Sequence, residues 1–540
     1  MRKTAVMSCV KLHRFEPLAL SDTEIVNTLY TMLRDRDPQV VSNCICALNE
    51  ILDDEGGMAF NKQIVHHLLN RIREFNEWSQ CIVLELLARY KPSEQQETFD
   101  IMNVLEERLK HSNSAVVLGA TKVFLQLTQE MPTIRTQARR INNPFFPYVA
   151  TPFLPYVKQI MLFFAQVFSR LKAPMLTLMT SGQFEQSYVC LKHIALLVSR
   201  SPAVFADEFK QFYCRYNDPA CVKLLKLEIL TQLGTSANMA EAVEEISEYV
   251  TDPDPEVARG AVVAIGKMGV AVPSHAGVAI DALIKFLEVN ISYVCAEALL
   301  AMKNLLRKYP DKAGMIIFGL GAFLKSVEEP EAKVALLWMI AEYGHVIPEA
   351  PYLLEPLIDS FSEEPSHLVR LELLATTTRL FFRRPAEMHA MLGRLLDMAI
   401  ADASYTDVHD RAMLYYRLLQ ADVKEASRIL EATSHVEGAF VEEATSELQD
   451  KIFEEFNTLA VIYGEPAERF VTDERAKRER AEKAAVQQAS ALQREEDRKR
   501  LVEDALGKLR QEHEDRIKHR QRARERAGIA PRPGGGGGGG

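Results

Sequence analysis

Only two tryptophans and eight cysteines occur in 540 residues, and the scarcity removes several chemistries at once. The cysteines (Cys9, Cys44, Cys46, Cys81, Cys190, Cys214, Cys221 and Cys295) form no CxxC pair. Most fall within helical apolar stripes, so neither a zinc site nor a disulfide framework is expected, and a reducing compartment fits. No GKS or GKT follows a glycine-rich turn. Gly319-Leu320-Gly321, close to Gly314, lacks the third glycine of a dinucleotide loop and reads as helix packing. His66 and His67 are adjacent rather than four apart, with no HExxH around them, so they read as ordinary helix surface and edge. Acidic pairs such as Glu106-Glu107 and Glu442-Glu443 read as solvated faces. No catalytic residue, cofactor-binding residue or metal ligand is expected, and no enzyme.

Long apolar runs are missing too. A run such as Gln159 to Ser169 covers eleven residues, well short of the roughly 20 that span a bilayer, so it reads as core and any membrane contact as peripheral. The N-terminus, Met1-Arg2-Lys3-Thr4-Ala5-Val6, has a basic pair but no apolar stretch of the secretory kind. Charge is unevenly spread. Between Asp473 and Arg526 there are 17 Lys or Arg against 13 Asp or Glu, a balance of +4, which leaves −14 of the formal −10 on the rest. An acidic body lacks the clustered cations that neutralise phosphates, so nucleic acid is not an expected partner. No small-molecule substrate is expected either.

What is present is a repeat. Met1, Val40, Ile82, Val116, Val257, Val294, Val334 and Val369 each start an apolar motif continued four and then seven or eight residues later, with spacings of 39, 42, 34, 141, 37, 40 and 35. The value 141 is close to four more such steps. This period belongs to HEAT and armadillo repeats, whose helical units stack only on their neighbours and build an all-α superhelical solenoid. Asp35-Arg36-Asp37-Pro38 ends one helix and starts the next, with aspartate as cap and proline in the first turn; Val40, Cys44 and Leu48 then share a face. Asp252-Pro253-Asp254-Pro255 repeats the construction before Val257, Ala261 and Ile265, as does Glu363-Glu364-Pro365 before Val369 and Leu373. Small residues at Ala5, Ala120, Ala261 and Ala298 allow close helix approach, while Trp338 and Phe124 fill gaps between layers.

The expected organisation is a helical-repeat trunk over 1–465, a charged helix or linker over 466–527, and a glycine-rich tail over 528–540 that cannot fold. Within the trunk an irregular insertion is expected over about 133–187. There Pro132, Pro144, Pro147, Pro152, Pro155 and Pro174 should interrupt any long helix, and Phe145-Phe146 and Phe163-Phe164 lie in the same stretch. In the charged segment the apolar residues Val486, Leu492, Leu501, Leu506, Leu509 and Ile517 are too sparse for a heptad seam, so a solvated helix ranks above a coiled coil.

Several longer words resemble the trunk of beta-adaptins. They are Arg2 to Val6, Glu77 to Leu87, Ser114 to Phe124, Trp338 to Gly344, Val369 to Leu374 and Asp410 to Leu419, in the family's order. The resemblance covers about 1 to 132 and 170 to 465. Within the family the chain is most similar to beta subunits of the fourth adaptor-protein complex, on His66 to Arg71, Met391 to Leu396, and Phe456-Asn457-Thr458-Leu459 with Tyr463-Gly464. Leu501 to Ala505 does not satisfy the clathrin box found in the hinge of the clathrin-associated beta subunits. The resemblance implies a large subunit of a heterotetrameric vesicle coat that sorts cargo at the trans-Golgi network, independently of clathrin. It implies a second large, a medium and a small subunit as partners, and a cytoplasmic location peripheral on membranes through the complex.

The resemblance also implies a trunk that begins roughly three repeats before Met1, which would place Met1 at a valine-anchor position and leave an uncapped end with reduced solubility and weaker assembly. No appendage domain is recognisable after Gly464. The rival readings are a beta subunit of a clathrin-associated complex and an unrelated HEAT scaffold for nuclear transport or phosphatase regulation. No particular residue stands out as a partner contact.

Overall fold

The computed structural model describes residues 1–16, 24–53, 57–92, 94–129, 154–180, 183–289, 291–317, 323, 327–402, 404–430 and 446–470, with the side chains of 95, 154–165, 446 and 447 outside that description. The calls on Phe145-Phe146, on Gly319 to Gly321, on Glu442-Glu443, on the charged segment beyond Phe470 and on the glycine tail lie outside the described residues. So do the side chains of Phe163 and Phe164. The chain divides into two units, Met1–Gly464 and Glu465–Gly540. The second contributes one short described helix, Ala467–Phe470.

Helix starts follow from the caps. Asp37 accepts a hydrogen bond from the Gln39 N–H at 3.0 Å, Asp254 accepts from Glu256 at 2.9 Å, and Pro38 and Pro255 occupy first-turn positions where no N–H is needed. In both junctions the preceding aspartate braces the cap: Asp35 accepts from the Asp37 N–H and Asp252 from the Asp254 N–H. Asn61 and Asn76 cap Lys62–Asn70 and Glu77–Ala88 in the same way.

The helices alternate between two layers. One layer stacks Arg2–Phe15 on Pro38–Ile51, Glu77–Ala88 and Ser114–Gln129. It resumes with Phe184–Arg200, Ala220–Leu233, Pro255–Ala271, Ser292–Lys308, Pro330–Tyr343, His367–Arg383 and Thr406–Ala421. Ile25–Met32, Lys62–Asn70, Gln95–Leu105, Met239–Glu248, Ala276–Glu288, Ala350–Asp359 and Pro385–Ala401 form the other. No strand occurs among the described residues. The fold is an all-α HEAT/armadillo-like solenoid, and one almost continuous apolar core runs between its layers.

The anchors Val40, Val116, Val257, Val294 and Val369 are buried in that core, whereas Ile82 and Val334 are half-buried beside the fully buried Val83 and Ala335. Met1 is an exception: it lies fully exposed ahead of the first helix, where Val6 and Val10 face inward instead. Ala5 is exposed as well, while Ala120, Ala261 and Ala298 are sealed at interlayer contacts. Glycine permits the closest approach of all. A Cβ on Gly269 would stand 2.7 Å from the Ala279 Cβ, and one on Gly266 2.8 Å from the Ala301 Cβ.

A charge ladder links successive repeats. Lys223 reaches Asp252 at 2.6 Å, Lys333 reaches Glu364 at 3.0 Å and Arg370 reaches Asp402, each pair about one repeat apart in sequence. Lys3 to Asp37 at 2.9 Å and Arg2 to Asp35 at 2.7 Å place the same device at the first junction. Because the acids lie in or beside helix-starting turns, each rung also fixes where the next helix begins.

One expectation is corrected at the centre. Helix Leu154–Met179 runs for 26 residues in the stretch where proline was expected to interrupt any long helix. Pro155 sits in its first turn, where a missing N–H costs nothing, and Pro174 is carried in the interior. Burial explains the tolerance: around the proline, Leu171, Met175 and Leu178 are buried, with Leu178 beside Val117 and Cys190. No single described helix is long and apolar enough to cross a membrane. The pair Pro255–Ala271 and Pro273–Glu288 is apolar enough jointly, yet it folds by 118° into a hairpin of the solenoid.

The last part of the first unit turns back on its middle. Arg200 pairs with Asp450 and lays its guanidinium 4.9 Å from the Phe453 ring centre, while Gln126 Nε2 donates to the Glu454 carbonyl at 2.9 Å. Phe456, fully buried, meets the His193 ring edge-on at 4.7 Å. Thr458 then caps Leu459–Tyr463, and Gly464 ends it at φ +70°, a left-handed conformation that suits glycine. This strap joins residues 250 and 328 positions apart.

Candidate interaction surface

Four consecutive helices of the first layer enclose a surface groove of about 420 Å³. Leu300 from Ser292–Lys308, Val334 from Pro330–Tyr343, and Leu371 and Ala375 from His367–Arg383 supply its apolar part. Those positions follow from the helical period, since apolar residues on the flank of the buried stripe are left half-covered where two helices part. Lys303, Glu331, Glu372 and Arg411 bring charge to the same space.

Two of these groups are placed unusually. Burial holds the Lys303 ammonium below the ordinary lysine range, reinforced by the Arg307 charge and opposed by Glu372 and Glu331. Burial likewise raises Glu372, against the pull of Arg379, Lys303 and Arg411. Among the described residues neither Lys303 nor Glu372 has a hydrogen-bond or ion-pair partner, although comparable cations elsewhere in the ladder are paired. Both are half-buried, and charged groups set beside apolar ones in an open groove offer an incoming group points of attachment.

The sequence-singled residues are distributed otherwise. His66 is not plain helix surface: its Nε2 lies 3.1 Å from Oε1 of the buried Glu97, which also accepts from the Tyr90 hydroxyl at 2.8 Å and pairs with Lys62 at 3.4 Å. Although burial would raise Glu97, its bonds to Tyr90 and His66 and the Lys62 charge bring it below the usual carboxylate value. His67 is half-buried, and burial lowers its basicity. Glu107 is exposed and meets Arg73 at 2.5 Å. Burial lifts the Cys44 and Cys190 thiols to about 11 and Cys214 to about 12, so these are packing groups rather than thiolates. Among the described residues no cluster of His, Cys, Asp and Glu could hold a metal, and none of the eight cysteines is joined in a disulfide. The groove went unnoticed in the sequence because Lys303, Glu372 and Arg411 are ordinary charged positions until the helices stack.

A two-layered helical-repeat stack, with a groove across adjacent repeats, defines a protein of the solenoid class, which works by presenting surface to other macromolecules. A family profile described as "Adaptin N terminal region" matches residues 1–423. The chain therefore belongs to the adaptin family, within which its relatives are beta-adaptins. It is 41% identical over 486 residues to "Beta-adaptin-like protein A" of Arabidopsis thaliana, covering 88% of this chain and 54% of that protein. It is 33% identical to "AP-4 complex subunit beta-1" of Mus musculus, over 86% of this chain and 59% of that protein. To "AP-1 complex subunit beta-1" of Mus musculus it is 32% identical, over 87% and 47%. The chain spans about half the length of the curated relatives it matches. The family words sit largely on first-layer helices: Glu77 to Leu87 and Ser114 to Phe124 contribute the buried Val83, Leu87, Val116 and Phe124.

Proposed function

We propose that this chain is the trunk of a large beta subunit in a heterotetrameric adaptor complex of vesicle coats, a scaffold in intracellular protein transport with no catalytic step of its own. The observation that carries the reading is the adaptin match over residues 1–423, coincident with the two-layer helical repeat of the described residues. In this reading residues 1–465 form the trunk and 466–527 a polar extension. The partners are a second large, a medium and a small subunit, and the location is cytoplasmic and peripheral on membranes. Stacked repeats give the long surfaces such an assembly needs, since stable subunit interfaces bury on the order of 2,000 Å² or more.

The finer reading is a subunit of the fourth complex, acting at the trans-Golgi network without clathrin. The family words in His66 to Arg71 and Phe456 to Gly464 favour it. The second reading is a subunit of an AP-1-like, clathrin-associated complex, favoured by identities of 33% and 32% that barely differ. Affinity purification of the tagged chain from its own cells, with mass spectrometry of the recovered chains, separates them. Stoichiometric recovery of the AP-4 companions supports the finer reading. Recovery of AP-1 companions with clathrin supports the second, and a lone monomer overturns both.

A further inference from the structure

We propose that the groove between Ser292–Lys308 and Thr406–Ala421 docks an acidic amphipathic helix from a partner protein. The inference stands on the groove's own chemistry, whichever complex the chain joins. Leu300, Val334, Leu371 and Ala375 give an apolar seat, and 420 Å³ accommodates a few anchor side chains rather than a whole helix. The occupant therefore lies across the repeats and sends one apolar stripe inward, the helix-in-groove mode.

Charge selects its sign. Lys303 and Arg411 line the groove and Arg379 stands within electrostatic reach, three cations against the two carboxylates of Glu331 and Glu372. This local excess of cations sits on a body that carries −14 outside its tail, so an acidic segment is repelled by most of the surface and attracted here. A carboxylate on the occupant pairs with Lys303, which is half-buried in the groove lining and makes no direct ion pair among the described residues. The carboxylates of Glu372 and Glu331 repel a uniformly anionic surface such as a layer of phosphate groups, whereas a helix can set its own carboxylates opposite Lys303 and Arg411 alone.

The probe is a fluorescein-labelled peptide of about 14 residues, roughly four helical turns, with leucines at i, i+4, i+7 and i+11 and glutamates flanking them. Its anisotropy is followed with the whole chain, beside a peptide carrying lysine for each glutamate and beside phosphatidylserine vesicles. The expected result is saturable binding of the acidic peptide and none of the lysine peptide. Arg411→Glu and Lys303→Glu should weaken it about tenfold or more, the loss of one charge-assisted contact. Arg411 is exposed, so Arg411→Glu should leave thermal melting unchanged and report on docking alone. Absence of saturable binding, equal binding of the lysine peptide, or unaltered affinity in Arg411→Glu overturns the proposal. Vesicle binding abolished by Arg411→Glu, with peptide binding intact, overturns it in favour of a membrane.

Discussion

Replacing Arg370 with methionine should open the solenoid locally at one rung of its ladder. The residue is 6% exposed and its guanidinium serves five partners. Its Nε donates to the Glu364 carbonyl at 2.7 Å, Nη2 to the Ser362 carbonyl at 3.1 Å, Nη1 pairs with Asp402, and its plane lies 5.4 Å from the Phe361 and 5.1 Å from the Tyr405 ring centres. Methionine keeps the apolar stem and removes every donor. Breaking a buried ion pair costs about 3–5 kcal/mol, because the abandoned charge stays behind. Asp402 keeps the Ser404 N–H at 2.9 Å, the first of the influences that hold its carboxyl below the usual range, so the low end of about 3 kcal/mol applies. Arg370→Met/Asp402→Asn should recover part of that loss, since no charge is then stranded. Each repeat stacks only on its neighbours, so hydrogen exchange should rise in His367–Arg383, Pro385–Ala401 and Thr406–Ala421 and stay constant in Pro38–Ile51. A loss under about 1 kcal/mol, or a double variant no better than the single one, would refute the ladder as a stabilising device.

Three other outcomes are expected. Phe456→Ala empties a fully buried site worth about 3–5 kcal/mol; exchange should rise in Leu459–Tyr463 and Phe184–Arg200, and unchanged exchange at both would remove the strap from the account. Burial holds His193 below its ordinary 6.5, against the Val189 carbonyl, so between that lowered value and 6.5 the unfolded chain binds more protons. The stability it confers is complete above pH 6.5 and is lost as pH falls below it, and in urea titrations at pH 7.5 and 5.5 His193→Leu should show a smaller drop than the natural chain. Gly269→Ala gains about 1 kcal/mol of helix propensity but drives a methyl to within 2.7 Å of the Ala279 Cβ. Overpacking costs of about 1–3 kcal/mol should prevail, and a raised melting temperature would contradict that.

The sequence was a faithful guide wherever one helix decides its own fate. The 34 to 42 residue spacing, the aspartate caps at Asp37 and Asp254 and the sealed anchors Val40, Val116, Val257 and Val294 are local signals, because period and capping depend on residues a few positions apart. It misled at Met1 and Ala5, where the pattern is met but nothing packs over the residues. Proline in a buried helix misled it too, since neighbouring packing at Leu171 and Met175 outweighs a lost backbone bond at Pro174.

The amino-acid order by itself determined the class: helices, their length, their apolar faces and the repeat that makes them stack. Only the tertiary structure decided which charges meet. The Lys223, Lys333 and Arg370 rungs join neighbouring repeats, the strap brings Phe456 to His193, and the groove gathers Lys303 and Glu372 from different helices. The physical reason is one of range. Backbone periodicity and capping act within a few residues, whereas these contacts depend on the small rotation between successive repeats, and no short stretch of sequence encodes that rotation.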